Sequence, residues 1–181
     1  KSVWVFKGTE AGNCPGETCD DPNYLRWVLD LQTRGFEIGY HMATWHSSPR
    51  DRTIAALDRF AELSGHAPRT AANHSDCREN IYWGAARLGG LNRLGYNLAT
   101  RFRFHDRYRG HLEGDPHFWG DICKQRVKYL RNLVFNDINT LKICPMMPYR
   151  DSVRPYVNSW FASSEGADVL SFNRCLSEEN Q

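Results

Sequence analysis

Arg34-Gly35-Phe36-Glu37-Ile38-Gly39-Tyr40-His41-Met42-Ala43-Thr44-Trp45-His46 is the stretch on which the reading of this chain turns. Phe36, Ile38 and Tyr40 alternate with Glu37 and Gly39 behind the break at Gly35, the period of a β-strand, and His41 ends it. On a helix, the spacing of His41 and His46 leaves the two side chains roughly 140° apart, and on a continuous strand it puts them on opposite faces. The two rings share a ligand only if the backbone leaves the strand at His41 and turns before His46. Ser47-Ser48-Pro49 supplies the punctuation for such a turn. In α/β proteins the loop at the carboxyl end of a strand is where sites are built. The plainer alternative is a strand-end histidine capped by a backbone group, with the second histidine in solvent.

Working outward, Val3-Trp4-Val5-Phe6 reads as an earlier strand that Gly8 ends, followed by a loop rich in Gly, Pro and Asn. Pro22 at a helix start, with Tyr24, Trp27, Val28 and Leu31 on one face, predicts a helix to about residue 34. In Thr18-Cys19-Asp20-Asp21-Pro22, Asp21 is placed to cap that helix. Downstream, residues 49–64 predict a helix with Ile54, Leu57, Phe60, Ala61 and Leu63 at helical intervals and Gly65 as its stop. Arg69-Thr70-Ala71-Ala72 predicts the next strand, which delivers Asn73 and His74 to another strand end. Further on, the pattern predicts a helix over 78–94, a strand over 97–100, a long aromatic and basic loop to 121, a helix over 122–133 and a strand over 141–144. Asp151 follows as a polar group at one more strand end, and 156–161 as a short helix or aromatic rim. Strand and helix alternate with short connections and without repeats or linkers, so the expectation is one α/β domain over 1–181 with parallel strands.

Composition narrows the function classes. The chain has 181 residues, 41% of them hydrophobic and 24% charged, in the ordinary range for a globular domain with a real core. A net charge of +2 does not point to a nucleic-acid partner, and none is expected. Arg101-Phe102-Arg103-Phe104-His105-Asp106-Arg107-Tyr108-Arg109 interleaves arginines with aromatics as a single-strand binding surface does, but no recognition motif accompanies it, so it reads as a solvated loop or a polar rim. No apolar run reaches the length of a membrane span. Of six cysteines, Cys14 and Cys19 are spaced to close a small disulfide loop or to remain free thiols, and none has metal-site spacing. The chain opens directly into a strand at Lys1 and ends where Ser177 begins an acidic first helical turn, so the sequence reads as an excised segment.

Gly35-Phe36-Glu37-Ile38-Gly39-Tyr40-His41, then His46, then a helix ending in Leu63-Ser64-Gly65-His66-Ala67-Pro68, resembles the polysaccharide deacetylases of the NodB-homology, carbohydrate esterase 4 type. The resemblance covers roughly residues 1–75 in element order. It implies that the chain is an internal segment of a distorted (β/α) barrel. It further implies a metal-dependent hydrolase that removes N-acetyl groups from a carbohydrate polymer or oligomer, or cleaves a related non-peptide C–N bond. His41 and His46 become the expected ligands of a divalent metal, zinc by preference, and Asn73, His74, Trp45 and Asp151 the expected substrate contacts. The family's base Asp and acid His would lie outside the segment, so this segment alone is expected to be inactive. A secreted or cell-surface location goes with the family. Two departures, five residues from His41 to His46 where the family has four and Asn73-His74 where it carries R-x-P-[FY]-G, favour the alternative of a non-catalytic carbohydrate-binding or structural relative.

Overall fold

The computed structural model describes residues 1–11, 15–74, 76–136 and 145–165. Five strands form one sheet: β1 (Ser2–Val3), β2 (Gly39–Tyr40), β3 (Thr70–Ala72), β4 (Tyr129–Asn136) and β5 (Trp160–Glu165). Every neighbouring pair is parallel and the spatial order is β1-β2-β3-β4-β5. This is the predicted α/β architecture. A doubly wound sheet has a point at which strand order reverses, and this order has none.

The first strand–helix–strand unit follows the sequence closely. Helix α1 (Pro22–Thr33) starts at Asp21, whose carboxylate accepts hydrogen bonds from the Asn23 and Tyr24 amides, with Pro22 at the position where its missing N–H costs nothing. It buries Tyr24 and Val28 but leaves Trp27 45% exposed. Gly35, at φ 90°, takes the left-handed turn after the helix. Helix α2 (Arg50–Ser64) buries Thr53, Ala56, Leu57 and Phe60, and Gly65 closes it at φ 79°. α1 and α2 pack together over β1 and β2, with Val28, Leu29, Phe60 and Leu63 meeting Val3 and Ile38. Phe36, by contrast, is 54% exposed, with the Arg34 guanidinium over its ring.

Three expectations beyond residue 75 are corrected. Residues 78–94 are not one helix: a 3₁₀ turn, Gly84–Arg87, is followed by α3 (Gly90–Ala99), so the strand predicted over 97–100 is the end of that helix. The Asn73 side chain occupies both the amide and the carbonyl of Ile81, the latter an acceptor that a helix would need, and Tyr82 (φ 47°) and Gly84 (φ 61°) turn the chain away. The helix predicted over 122–133 stops early. α4 (Gly120–Arg126) gives way to β4 because the amides of Lys128 and Tyr129 both bond to the Arg69 carbonyl beside β3. Residues 156–161 lead into β5 rather than forming a helix. The strand predicted over 141–144 and the helix start at Ser177 lie outside the described residues. Cys19 is a buried free thiol, which removes the disulfide alternative for it; Cys14 lies outside the described residues.

Candidate functional site

The carboxyl ends of β2 and β3 carry the densest chemistry in the molecule. The chain does leave the strand at His41: the His41 amide makes the last ladder bond, to the Val3 carbonyl, and Met42, fully buried, turns at φ 65°. A non-glycine residue held in the left-handed region costs about 1 kcal/mol or more, so the surrounding core enforces this bend.

The bend does not bring His46 to His41. His46 is buried and both ring nitrogens are engaged elsewhere: Nε2 accepts from the Thr9 amide (3.1 Å) and Nδ1 meets the Ser47 carbonyl (3.0 Å). His41 pairs instead with His74. His41 Nε2 lies 3.2 Å from His74 Nδ1, the ring centroids are 5.1 Å apart at 69°, and His41 Nδ1 is 3.0 Å from the Ser2 hydroxyl. The expected pair His41 and His46 is thus replaced by one drawn from neighbouring strand ends. Trp4 backs both rings, with centroids 5.2 Å from His41 and 5.3 Å from His74, and contacts Trp45 edge-on. The indole N–H of Trp45 donates to the Glu10 carbonyl.

Burial, then the positive charge of Arg131, then His74 and Lys1, hold His41 down to a pKa of about 3. At neutral pH it is therefore uncharged, the state in which imidazole accepts a proton or binds a metal. The Arg131 guanidinium donates to the Asn73 carbonyl (3.3 Å) and helps line a hollow of about 280 Å³ over the sheet with Ser2, Gly39, Thr70, Ala72 and Phe161. Small strand residues, Ser2, Gly39, Thr70 and Ala72, line it beside the larger Tyr40, Arg131 and Phe161. A Cβ on Gly39 would sit 2.4 Å from the Thr70 hydroxyl.

Asn73 is 1% exposed and its amide is fully engaged: Nδ2 donates to the Ile81 carbonyl (3.1 Å) and Oδ1 accepts from the Ile81 amide (3.1 Å). It braces the loop, and in this arrangement it offers substrate nothing. Asn80 returns the gesture, accepting from the His74 amide (3.1 Å) and donating to the His74 carbonyl (2.5 Å). These two reciprocal clasps fix the backbone on which His74 rides. The sequence analysis missed Asn80; its signal was the Asn six residues beyond a strand-end His, where an amide can mimic a ladder partner. Asp151, also an expected contact, accepts from the Val153 amide and is ion-paired with Arg154 in its own turn.

Glu79 was also missed. It is fully buried, and burial pushes its pKa up to about 8, with the backbone amides of Glu79 and Ser48 near enough to the carboxyl group to oppose that rise in part. Tyr40 and Cys77 lie close enough that a charge on Glu79 raises both of their pKa values. The Trp119 indole N–H donates to the Glu79 carbonyl (2.6 Å), and the ring is fully buried in the core.

Two imidazole nitrogens 3.2 Å apart admit two descriptions. One is a hydrogen bond between a donor and an acceptor ring. The other is the edge of a metal site, since zinc–nitrogen bonds of about 2.0–2.1 Å set tetrahedral ligand atoms about 3.3 Å apart. The donor set fits two positions of such a site. Among the described residues no group of three or more His, Cys, Asp or Glu side chains is placed to hold a metal ion. No family model, curated protein or solved structure matches this chain.

Proposed function

We propose that the chain is a segment of a distorted (β/α) barrel of the polysaccharide deacetylase type, in a metal-dependent hydrolase that releases N-acetyl groups from a carbohydrate or cleaves a related C–N bond. The observation that carries this reading is the pair of imidazole nitrogens 3.2 Å apart at the ends of adjacent parallel strands. The unreversed strand order and the resemblance around Gly35 to His41 support it. His41 Nε2 and His74 Nδ1 would hold a divalent metal, zinc by preference, and the remaining protein ligand would be a carboxylate outside the described residues. Such a metal polarises an amide carbonyl and lowers the pKa of bound water. The chain's own part is to present His41 uncharged, with Ser2 orienting that ring and Asn80 fixing the backbone of His74.

A second reading rests on a different observation. Arg131 puts a positive charge near His41, and the two rings satisfy one another as a donor–acceptor pair, the arrangement of a non-catalytic carbohydrate-binding or structural relative. Full-length protein, stripped with a chelator and reloaded with zinc, separates the two on an N-acetylated chitooligosaccharide. Zinc-dependent acetate release supports the hydrolase; sugar binding with neither stoichiometric zinc nor acetate release supports the relative.

A further inference from the structure

Helix α3 and the turn after it present an apolar ridge that the site does not use. Leu91, Leu94 and Leu98 recur at the i, i+3, i+7 spacing of one helix face and are 84%, 50% and 60% exposed. Phe102 extends the row at 51% exposure. Arg101 and Phe102 both sit at positive φ, 51° and 58°, with the Phe102 amide tied back to the Asn97 carbonyl (2.7 Å), so the fold holds a strained turn that leaves a phenyl ring in water.

Charge identifies the occupant. Between residues 87 and 109 the chain carries six arginines and one acidic residue, Asp106, although its overall excess is only +2, so the remainder of the molecule is net acidic. Arg87 lies over the Trp83 ring, Arg107 pairs with Asp76 (2.6 Å) and Arg109 with Asp115 (3.1 Å). Arg93, Arg101 and Arg103 are exposed and enter no salt bridge among the described residues. A second copy of this chain is a poor partner, because facing ridges would oppose arginine to arginine with no intervening carboxylate on the helix. The surface is also a ridge, not a groove. A protein partner must supply a matching cleft, whereas a bilayer interface yields to protruding leucines while arginines reach its phosphates.

We infer that α3 and the 101–103 turn form a docking surface for an anionic lipid bilayer, the leucines and Phe102 entering the interface and Arg93, Arg101 and Arg103 meeting the headgroups. No described helix is long and apolar enough to cross a membrane, so the association is peripheral and reversible. The test is co-sedimentation of the full chain with vesicles of phosphatidylcholine alone and of phosphatidylcholine with phosphatidylserine. Binding is expected only to the anionic vesicles and weakens with salt. Leu91→Ser with Leu98→Ser, and separately Arg93→Gln with Arg103→Gln, each lower the partition coefficient by about tenfold or more. All four side chains are exposed, so circular dichroism should remain that of the parent. Absence of binding to anionic vesicles, equal binding to both compositions, or unchanged partitioning of the variants overturns the proposal. So does salt-sensitive capture of a single-stranded oligonucleotide or an acidic peptide, lost in the same variants, without vesicle binding.

Discussion

At the scale of single residues, the fully buried Glu79 and the half-buried His41 are both kept uncharged at neutral pH, and their effects on stability run in opposite directions. Glu79 is ionised in the unfolded chain above pH about 4.5 but stays protonated in the fold until about 8. The unfolded state therefore sheds its proton first, and stability falls as pH rises from about 4.5 to about 8. Glu79→Gln, of similar shape and always neutral, should remove that slope and raise stability at pH 8 by an amount on the order of 2–4 kcal/mol. Chemical denaturation at pH 5 and pH 8 reads it; a variant with the parent's slope contradicts the assignment. His41 works the other way. Its ordinary value near 6.5 is depressed to about 3, so on acidification the unfolded chain takes up the proton and the fold does not. Stability is lost between about pH 6.5 and 3, and His41→Asn should flatten that part of the profile unless the transition belongs to other groups, His111 first among them.

At the scale of elements, the loop between β3 and the 3₁₀ turn is held by side-chain amides acting as backbone partners. Asn73→Ala leaves the Ile81 amide and carbonyl without partners in a buried setting and should cost about 1–3 kcal/mol. Asn80→Ala should cost a similar amount and also loosen His74, so the His41–His74 ring contact would broaden or vanish in NMR nuclear Overhauser spectra. An Asn80→Ala protein with unchanged stability and an intact ring contact would reject the clasp. Element existence was legible where local and long-range signals agree: Asp21-Pro22 starts α1 and Gly35 and Gly65 end helices, whereas of the Phe36–Tyr40 run only Gly39 and Tyr40 form β2, both buried, with Phe36 exposed outside it. It failed beyond residue 75. There Ile81, Ala85 and Leu88 have helical spacing, yet the Asn73 side chain takes the Ile81 amide and carbonyl. The Leu91–Leu98 period was split between two predicted elements. The run 122–133 crosses a helix–strand junction fixed by distant partners, the Arg69 carbonyl and the Asn158 side chain that takes the Lys124 and Val127 carbonyls. No local periodicity encodes such partners.

At the scale of the whole molecule, the site is assembled across three strands. His41 after β2 and His74 after β3 converge because the parallel register places those two carboxyl ends side by side, and Ser2, at the start of β1, reaches His41 Nδ1 with its hydroxyl. Sequence reading found the strand-end position, the bend after His41 and both members of the observed pair. It joined His41 to the wrong partner, because His46 is near in sequence while His74 is near only through the β2–β3 register. The hollow beside the pair depends on the same register: Gly39 faces Thr70, and Gly39→Val should close the space and destabilise the sheet by about 2–4 kcal/mol. Wild-type thermal stability in that variant would show that the strands do not approach as described. The most direct test of the account is calorimetric titration of zinc into the chelator-stripped full-length protein and its His41→Ala, His46→Ala and His74→Ala variants. The account predicts one site per chain in the parent and in His46→Ala, and affinity reduced at least about 100-fold in His41→Ala and His74→Ala. Zinc binding that survives loss of His74 but not of His46, or that is missing from the parent, would contradict it.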